Sequence, residues 1–146
     1  ALFAAVAAEG EATPVRAVVG CAAVNDLVAD SKRRGGPSTS LQALFGLPPE
    51  MSPETLALLA AQSPINALKA GYPPTLLLHG DADKTVTLDQ SIAFRQRLLA
   101  LGGDCELHVL PGAGHRLAEW LVADPAWTRV LTEWLHAKLG PSQAAR

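Results

Sequence analysis

The chain has 146 residues, of which 49% are apolar and 18% are charged, so it has the length for one domain and the composition to build a core. A net charge of −2 argues against an extended nucleic-acid surface, and two cysteines are too few for a disulfide framework. No apolar run is long enough to span a membrane. We therefore expect a globular domain with no nucleic-acid partner and no membrane span.

The first predicted elements are an Ala-rich helix at residues 1–8 and a buried strand at residues 15–21. Asp26, in the loop after the strand, is expected to form a local cap rather than to act in catalysis. The basic run at residues 31–37 is expected to be a solvated loop, with an anion contact as the alternative.

A long connection follows at residues 38–72. Two short helices are predicted in it, at residues 41–45 and 53–60, the second with Ser52 at the N-cap and Pro53 at the first helical position. Between parallel strands, a connection of this length holds more than one crossover helix.

The most informative stretch is the apolar run at residues 75–78, which is bounded by Pro-Pro before it and by His-Gly after it. Its length and flanking residues favour a strand that is buried on both faces of a parallel sheet. The run ends at Gly80, and Asp83 follows in the next loop. Ligands of open α/β sheets bind beyond the carboxyl ends of the strands, so Asp83 is a candidate functional residue.

The same pattern occurs again about thirty residues later. A helix predicted at residues 88–101, with Thr87 and Gln90 as a capping box, leads into a strand at residues 105–110. One face of that strand is more polar, so His108 is expected at the surface. The strand ends in the Gly-rich loop that carries His115. A final helix, rich in Trp and Leu on one face, is predicted after Asp124.

An acid and then a His, each just after a parallel strand, form the second half of a nucleophile–acid–His triad. With these two loops, the chain resembles the C-terminal half of an α/β-hydrolase, and it is most similar to the esterase and lipase branch, with likeness to dienelactone hydrolases and prolyl oligopeptidase-like hydrolases. The resemblance implies an α/β fold in which the last three parallel strands of the family sheet are flanked by helices. It also implies Asp83 as the triad acid and His115 as the base. One domain at residues 1–146 is expected. In the family a cap or lid is inserted at residues 35–72, which makes Leu44, Phe45, Leu47 and Met51 candidates for a pocket wall, although ordinary core packing is more typical of such residues.

The nucleophile is the part of the triad that the sequence lacks. The Gly-x-Ser-x-Gly elbow of the family occurs nowhere in residues 1–146. We therefore expect a serine hydrolase fragment whose nucleophile and oxyanion loop precede Ala1, and which is nearly inactive by itself. Asp81 is the alternative acid, although its place next to the strand end is more typical of a residue that fixes the loop. Cys21 is the alternative nucleophile, although a small buried apolar role is more typical of its surroundings.

The function that the resemblance implies is carboxylic ester hydrolysis, with a small-molecule ester as substrate and no cofactor or metal. The first predicted strand would have an open edge, to be covered by the missing N-terminal half or by a second copy of the chain. Three alternatives remain at this point: a peptidase, a non-catalytic binding or scaffold module, and a small hydrolase that depends on Cys21.

Overall fold

The computed structural model describes residues 15–140, so the helix predicted at residues 1–8 lies outside the described residues. Its centre is a parallel sheet of three strands in the order β1 (Val18–Cys21), β2 (Thr75–Gly80) and β3 (Cys105–Leu110). One 3₁₀ turn, Pro64–Ala67, and six helices surround it: α1 (Leu27–Arg34), α2 (Thr39–Phe45), α3 (Pro53–Ala61), α4 (Asp89–Ala100), α5 (Leu117–Ala123) and α6 (Trp127–Leu139). The predicted α/β architecture, three parallel strands flanked by helices, is confirmed.

Strand β2 is the middle strand, and all six of its residues are buried. Leu76 and Leu78 belong to a core cluster that contains Trp134 of α6. Leu77 points to the opposite face and belongs to a second cluster with Phe94 of α4. A strand with an apolar layer on each face needs apolar side chains at every position, which explains the continuous Leu run.

The register of the sheet brings two loops together at its carboxyl edge. Gly80, the last residue of β2, is opposite Leu110, the last residue of β3. A Cβ atom on Gly80 would lie 2.1 Å from the carbonyl oxygen of Ala113, so only Gly permits this approach. The amide of Ala82 then donates to the same carbonyl at 3.1 Å. The loop that carries Asp83 and the loop that carries His115 are therefore adjacent.

Residues 31–34 of the basic run belong to helix α1 and not to a loop, so that part of the expectation is wrong, whereas residues 32–35 are exposed as expected. Asp26 caps the helix, as expected, by accepting from the amide of Ala29 at 2.9 Å. The helix continues to Arg34 and ends at Gly35, which has a φ of 81°. Arg33 and Arg34 pair with Asp30 on the same helix, and an internal partner of this kind is not visible as hydrophobic periodicity.

Helix α4 forms where it is expected, but the predicted capping box is wrong. The side chain of Thr87 makes no cap, and Gln90 is buried with its side chain bonded to another loop. Ile92 and Leu99 are exposed, whereas the buried side of α4 consists of Gln90, Ser91, Phe94 and Leu98. Gln90 and Ser91 are thus polar residues at buried positions, where a hydrophobic pattern predicts apolar side chains.

The connection at residues 35–72 has the expected helices. Ser52 caps α3 by accepting from the amide of Thr55 at 3.2 Å, and Pro53 is the first helical residue. Helix α2 buries none of its residues, and Leu44 is 57% exposed. Phe45, Leu47 and Met51 are half-buried, so these apolar residues do not form the closed core that their composition favours.

The last two elements behave largely as expected. His108 is half-buried rather than at the surface, because its Nε2 atom contacts Asp124 Oδ2 at 2.9 Å and connects β3 to the start of α6. Helix α6 begins at Trp127, buries Trp134 and ends at Gly140. Within the described residues, no helix is long and apolar enough to cross a membrane.

Candidate active site

Asp83 lies in the loop at residues 81–86, here called the acid loop, directly after β2. The residue is only 4% exposed. Its Oδ1 atom accepts hydrogen bonds from the amides of Thr85 at 2.8 Å and of Val86 at 2.9 Å. The acid loop therefore folds around the carboxylate and leaves Oδ2 for a different partner.

That partner is His115, whose Nδ1 atom is 2.8 Å from Asp83 Oδ2. An ionised carboxylate only accepts hydrogen bonds, so Nδ1 carries the proton and Nε2 of the neutral ring carries a lone pair. Among residues 15–140, none makes a hydrogen bond to Nε2, and the side chain is 39% exposed. A general base has this arrangement: an acid orients one ring nitrogen, and the other nitrogen is accessible.

The electrostatics keep Asp83 ionised. Burial by itself raises the pKa of the Asp83 carboxyl group. The hydrogen bonds from His115, Val86 and Thr85 outweigh burial, so the pKa lies below its ordinary value. The charge of Asp83 is thus available to stabilise a protonated imidazole.

The loop that carries His115, residues 111–116, is fixed at both ends. Asp81, the alternative acid, accepts from the amide of Gly112 at 2.7 Å through Oδ1, and Gly112 has a φ of 71°. Trp120, fully buried at the centre of α5, donates to the carbonyl of Gly114 at 2.8 Å. The structure therefore gives Asp81 a bond to the loop backbone and brings Asp83, not Asp81, to the imidazole.

His79, the residue before Gly80, is a part of the site that the sequence did not reveal. It is fully buried, and its Nε2 atom is 2.9 Å from the carbonyl oxygen of Val86. A carbonyl accepts only, so Nε2 donates, and Nδ1 accepts from the hydroxyl of Ser91 at 2.8 Å. The same Nε2 atom is 3.4 Å from Asp83 Oδ2. The one signal in the sequence was a His at the end of an otherwise apolar strand.

Gln90 connects a third loop to this edge. Its Oε1 atom accepts from the amides of Asn25 at 3.0 Å and of Asp26 at 2.7 Å, and its backbone carbonyl accepts from Asn25 Nδ2 at 3.3 Å. The loop after β1 is thereby fixed to α4. Nothing in the sequence indicates this contact, because the partners are more than sixty residues apart.

Arg33 and Arg34, at the end of α1, also reach the acid loop. The Nη2 atom of Arg33 donates to the carbonyl of Thr85 at 2.7 Å. The Nη2 atom of Arg34 donates to the same carbonyl. The basic run therefore contacts the backbone of the loop that holds Asp83.

The two cysteines are free thiols. Burial raises the pKa of Cys21, and it raises the pKa of Cys105 to about 11. A nucleophilic cysteine needs the opposite shift, since the thiolate is the reactive form. Within residues 15–140, no group of three or more His, Cys, Asp or Glu side chains is placed to hold a metal ion.

Comparison with known proteins places the chain in a family. The model of the prolyl oligopeptidase family matches residues 2–142. The chain belongs to this family. No curated protein matches the chain. The resemblance to α/β-hydrolases that the two loops indicate is confirmed by the family and by the solved structures.

Solved structures with the same fold are described as hydrolases and esterases. An acetyl ester-xyloside bifunctional hydrolase from Caldicellulosiruptor lactoaceticus is 27% identical over 85% of this chain and 43% of its own, with a TM-score of 0.66. A truncated carbohydrate esterase from gut microbiota is 26% identical over 86% and 43%, with a TM-score of 0.69. An esterase from Thermogutta terrifontis, 24% identical over 94% and 49% with a TM-score of 0.60, shares the fold. The chain thus spans less than half the length of these proteins.

Proposed function

We propose that residues 1–146 are the acid-and-base half of a serine hydrolase that cleaves carboxylic esters of small molecules. The observation that carries the proposal is the 2.8 Å contact between His115 Nδ1 and the buried, ionised Asp83, at the carboxyl ends of two adjacent parallel strands. Membership of the prolyl oligopeptidase family supports serine hydrolase chemistry, and the structural neighbours described as esterases favour esters.

In the proposed reaction, Nε2 of His115 removes the proton of a serine hydroxyl as the serine oxygen attacks the ester carbonyl. The protonated His115 then gives that proton to the leaving alcohol, and an acyl-enzyme remains. Water, deprotonated by His115, then attacks the acyl-enzyme, and the carboxylic acid is released as the serine regains its proton. Asp83 orients the imidazole and stabilises its charge in both halves. The serine and the oxyanion donors come from a segment outside residues 1–146, because the sequence contains no Gly-x-Ser-x-Gly elbow.

We further propose that residues 35–72 form a cap that shapes the acyl or alcohol pocket. The apolar side chains of this connection support the idea: Leu44 is 57% exposed, and α2 buries none of its residues. Exposed apolar side chains of this kind are suited to contact an acyl chain or an apolar alcohol group of a substrate.

Peptide hydrolysis is the second candidate, because the matching family model is that of the prolyl oligopeptidases. The two are distinguished by assaying the full-length polypeptide with p-nitrophenyl acetate and with a proline p-nitroanilide. Activity on the ester that falls on the order of a thousand-fold in His115→Ala supports the proposed function. Activity on the anilide alone would favour a peptidase, and no His115-dependent hydrolysis of either would favour a binding or scaffold module.

The same assay on residues 1–146 alone tests the location of the nucleophile. We expect no hydrolysis above the His115→Ala background. If hydrolysis did depend on His115, the nucleophile would lie within these residues, and Cys21→Ala would be the first variant to examine.

A further inference from the structure

The backbone of the acid loop is held at every polar group of two successive residues. The amides of Thr85 and Val86 both donate to Asp83. The carbonyl of Val86 accepts from His79. The carbonyl of Thr85 accepts from Arg33 and Arg34, both of which lie on a separate helix. The two amides that orient the carboxylate are thus part of a segment whose carbonyls are fixed by other elements.

The two arginines are themselves oriented by Asp30, which is 3% exposed. Its Oδ1 atom is 2.7 Å from Arg33 Nη2, and its Oδ2 atom is 2.7 Å from Arg34 Nε. Two charge-assisted hydrogen bonds, one on each oxygen of the Asp30 carboxylate, therefore orient the two guanidinium groups. Asp30 therefore directs both side chains at the Thr85 carbonyl.

Helix α1, which carries both arginines, is itself held by hydrogen bonds to other elements. Its first amide, on Leu27, donates to the buried hydroxyl of Ser63 at 2.9 Å, and Ser63 in turn donates to the carbonyl of Leu59 on α3 at 2.7 Å. The loop before it is bonded to Gln90 of α4. The arginines therefore connect the acid loop to α1 and, through Ser63, to α3.

We propose that Arg33 and Arg34 are positioning residues for the triad acid: by holding the Thr85 carbonyl, they keep the Thr85 and Val86 amides on Asp83 and so keep Asp83 in contact with His115. The catalytic part of this inference rests on the proposed function. Without the guanidinium contacts, the exposed carbonyl would bond to water instead, and the loop would gain freedom to move away from the carboxylate.

The two arginines make their contacts differently, and this gives a sharp test. Arg33 uses one nitrogen, Nη2, for both Asp30 and Thr85. The ammonium of a lysine has three donors on one nitrogen and can reproduce that contact. Arg34 uses Nε for Asp30 and Nη2 for Thr85, and only the planar guanidinium offers two nitrogens in this arrangement. Arg34→Lys should therefore remove one of the two bonds to the Thr85 carbonyl, whereas Arg33→Lys should retain both.

The experiment measures hydrogen exchange by mass spectrometry on the natural full-length polypeptide, with peptides that cover the acid loop and β2 separately. In Arg34→Lys, we expect the acid-loop amides to exchange about five to ten times faster, because a charge-assisted hydrogen bond is lost. Exchange in β2 should not change, and kcat for p-nitrophenyl acetate should fall by a similar factor with KM unchanged. Arg33→Lys, the conservative variant, should change both quantities less than Arg34→Lys does. The control is Arg129→Lys, an exposed arginine paired with Glu133 on α6, and it should resemble the wild type.

Each result decides the matter. Unchanged exchange of the acid-loop amides in Arg34→Lys would overturn the proposal. Exchange that is accelerated equally in β2 and in the acid loop would also overturn it, because the arginines would then stabilise the fold in general. Faster exchange in the loop alone supports it. If the wild type hydrolysed no ester, the proposed function would fail, but the exchange data would still show whether the arginines hold the loop.

Discussion

Asp83 and Asp81 are two residues apart, yet the structure gives them different partners, and a pair of substitutions can separate their roles. Asp83→Asn keeps the size of the side chain but presents an amide to His115. The wrong imidazole tautomer would then be stabilised, so we expect kcat for p-nitrophenyl acetate to fall on the order of a thousand- to ten-thousand-fold in the full-length polypeptide. Asp81→Asn retains an oxygen for the Gly112 amide and should change kcat by less than about ten-fold. Equal losses in the two variants would contradict the assignment of Asp83.

The pKa of Asp83 also predicts how stability depends on pH. Its native pKa lies below the ordinary value of about 4, because the hydrogen bonds to the carboxylate outweigh burial. The unfolded chain therefore binds the proton more readily than the native chain. The stabilising contribution is complete above the unfolded pKa and is lost as the pH falls through the lower native value.

We accordingly expect the free energy of unfolding, measured in urea, to fall less between about pH 5 and pH 2 in Asp83→Asn than in the wild type. Asp89→Asn, at an exposed position on α4, is the control and should follow the wild-type curve. Parallel curves for the wild type and Asp83→Asn would show that this carboxyl group has the same proton affinity in the native and unfolded states.

At this scale, the sequence indicated Asp83 and His115 as candidates because each lies in a loop just after a strand, and the family resemblance favoured Asp83 over Asp81. It was not sufficient for the residues around them. His79 looks like one more member of a buried strand, and its role depends on Ser91, which faces it only after α4 packs on the sheet. The role of Arg33 depends on a carbonyl 52 residues away. Such contacts arise from the tertiary arrangement and leave no local pattern.

At the scale of elements, Gln90 links α4 to the loop after β1. Its Oε1 atom is the acceptor for the amides of Asn25 and Asp26. In Gln90→Ala, these amides lose their partner in or near the core, at about 1–3 kcal/mol for each buried group, so we expect the free energy of unfolding to fall by about 2–4 kcal/mol. Gln96→Ala, at an exposed position on the same helix, should change it by less than about 0.5 kcal/mol in the same urea titration. A loss below about 1 kcal/mol in Gln90→Ala would mean that water replaces the side chain.

The predicted capping box of α4 is wrong because of this same contact of Gln90 with the loop after β1. A Thr-x-x-Gln pattern before an apolar run is a capping box when the Gln bonds to its own helix, but here the Gln serves a neighbouring loop. Helix α1 was missed because the pairing of Arg33 and Arg34 with Asp30 is not visible as hydrophobic periodicity. The strands were easier to predict, because a short continuous apolar run such as Leu76–Leu78 is typical of a strand that is buried on both faces.

At the scale of the whole molecule, the sheet has an unpaired edge among the described residues. Within residues 15–140, β1 pairs only with β2. The amide of Val18 donates to the carbonyl of Pro74, just before β2, and the amide of Ala22 donates to the carbonyl of Leu78 in β2, both at 2.9 Å. Because alternate amides of a parallel strand point to opposite sides, the amides of Val19 and Cys21 face the other edge. An edge of this kind is a template for a further strand.

We therefore expect the isolated 146-residue chain to self-associate through β1 and to become monomeric when the segment that we propose to carry the nucleophile is co-expressed. Val19→Pro removes an outward amide and should reduce self-association in light scattering, while the two bonds from Val18 and Ala22 remain. Val18→Pro is the matched control: it removes an inward amide, so it should lower the melting temperature and leave the outward amides in place. A wild-type chain that is monomeric by itself would show that the outer edge of β1 is already covered. Self-association that Val19→Pro does not reduce would place the contact on another surface.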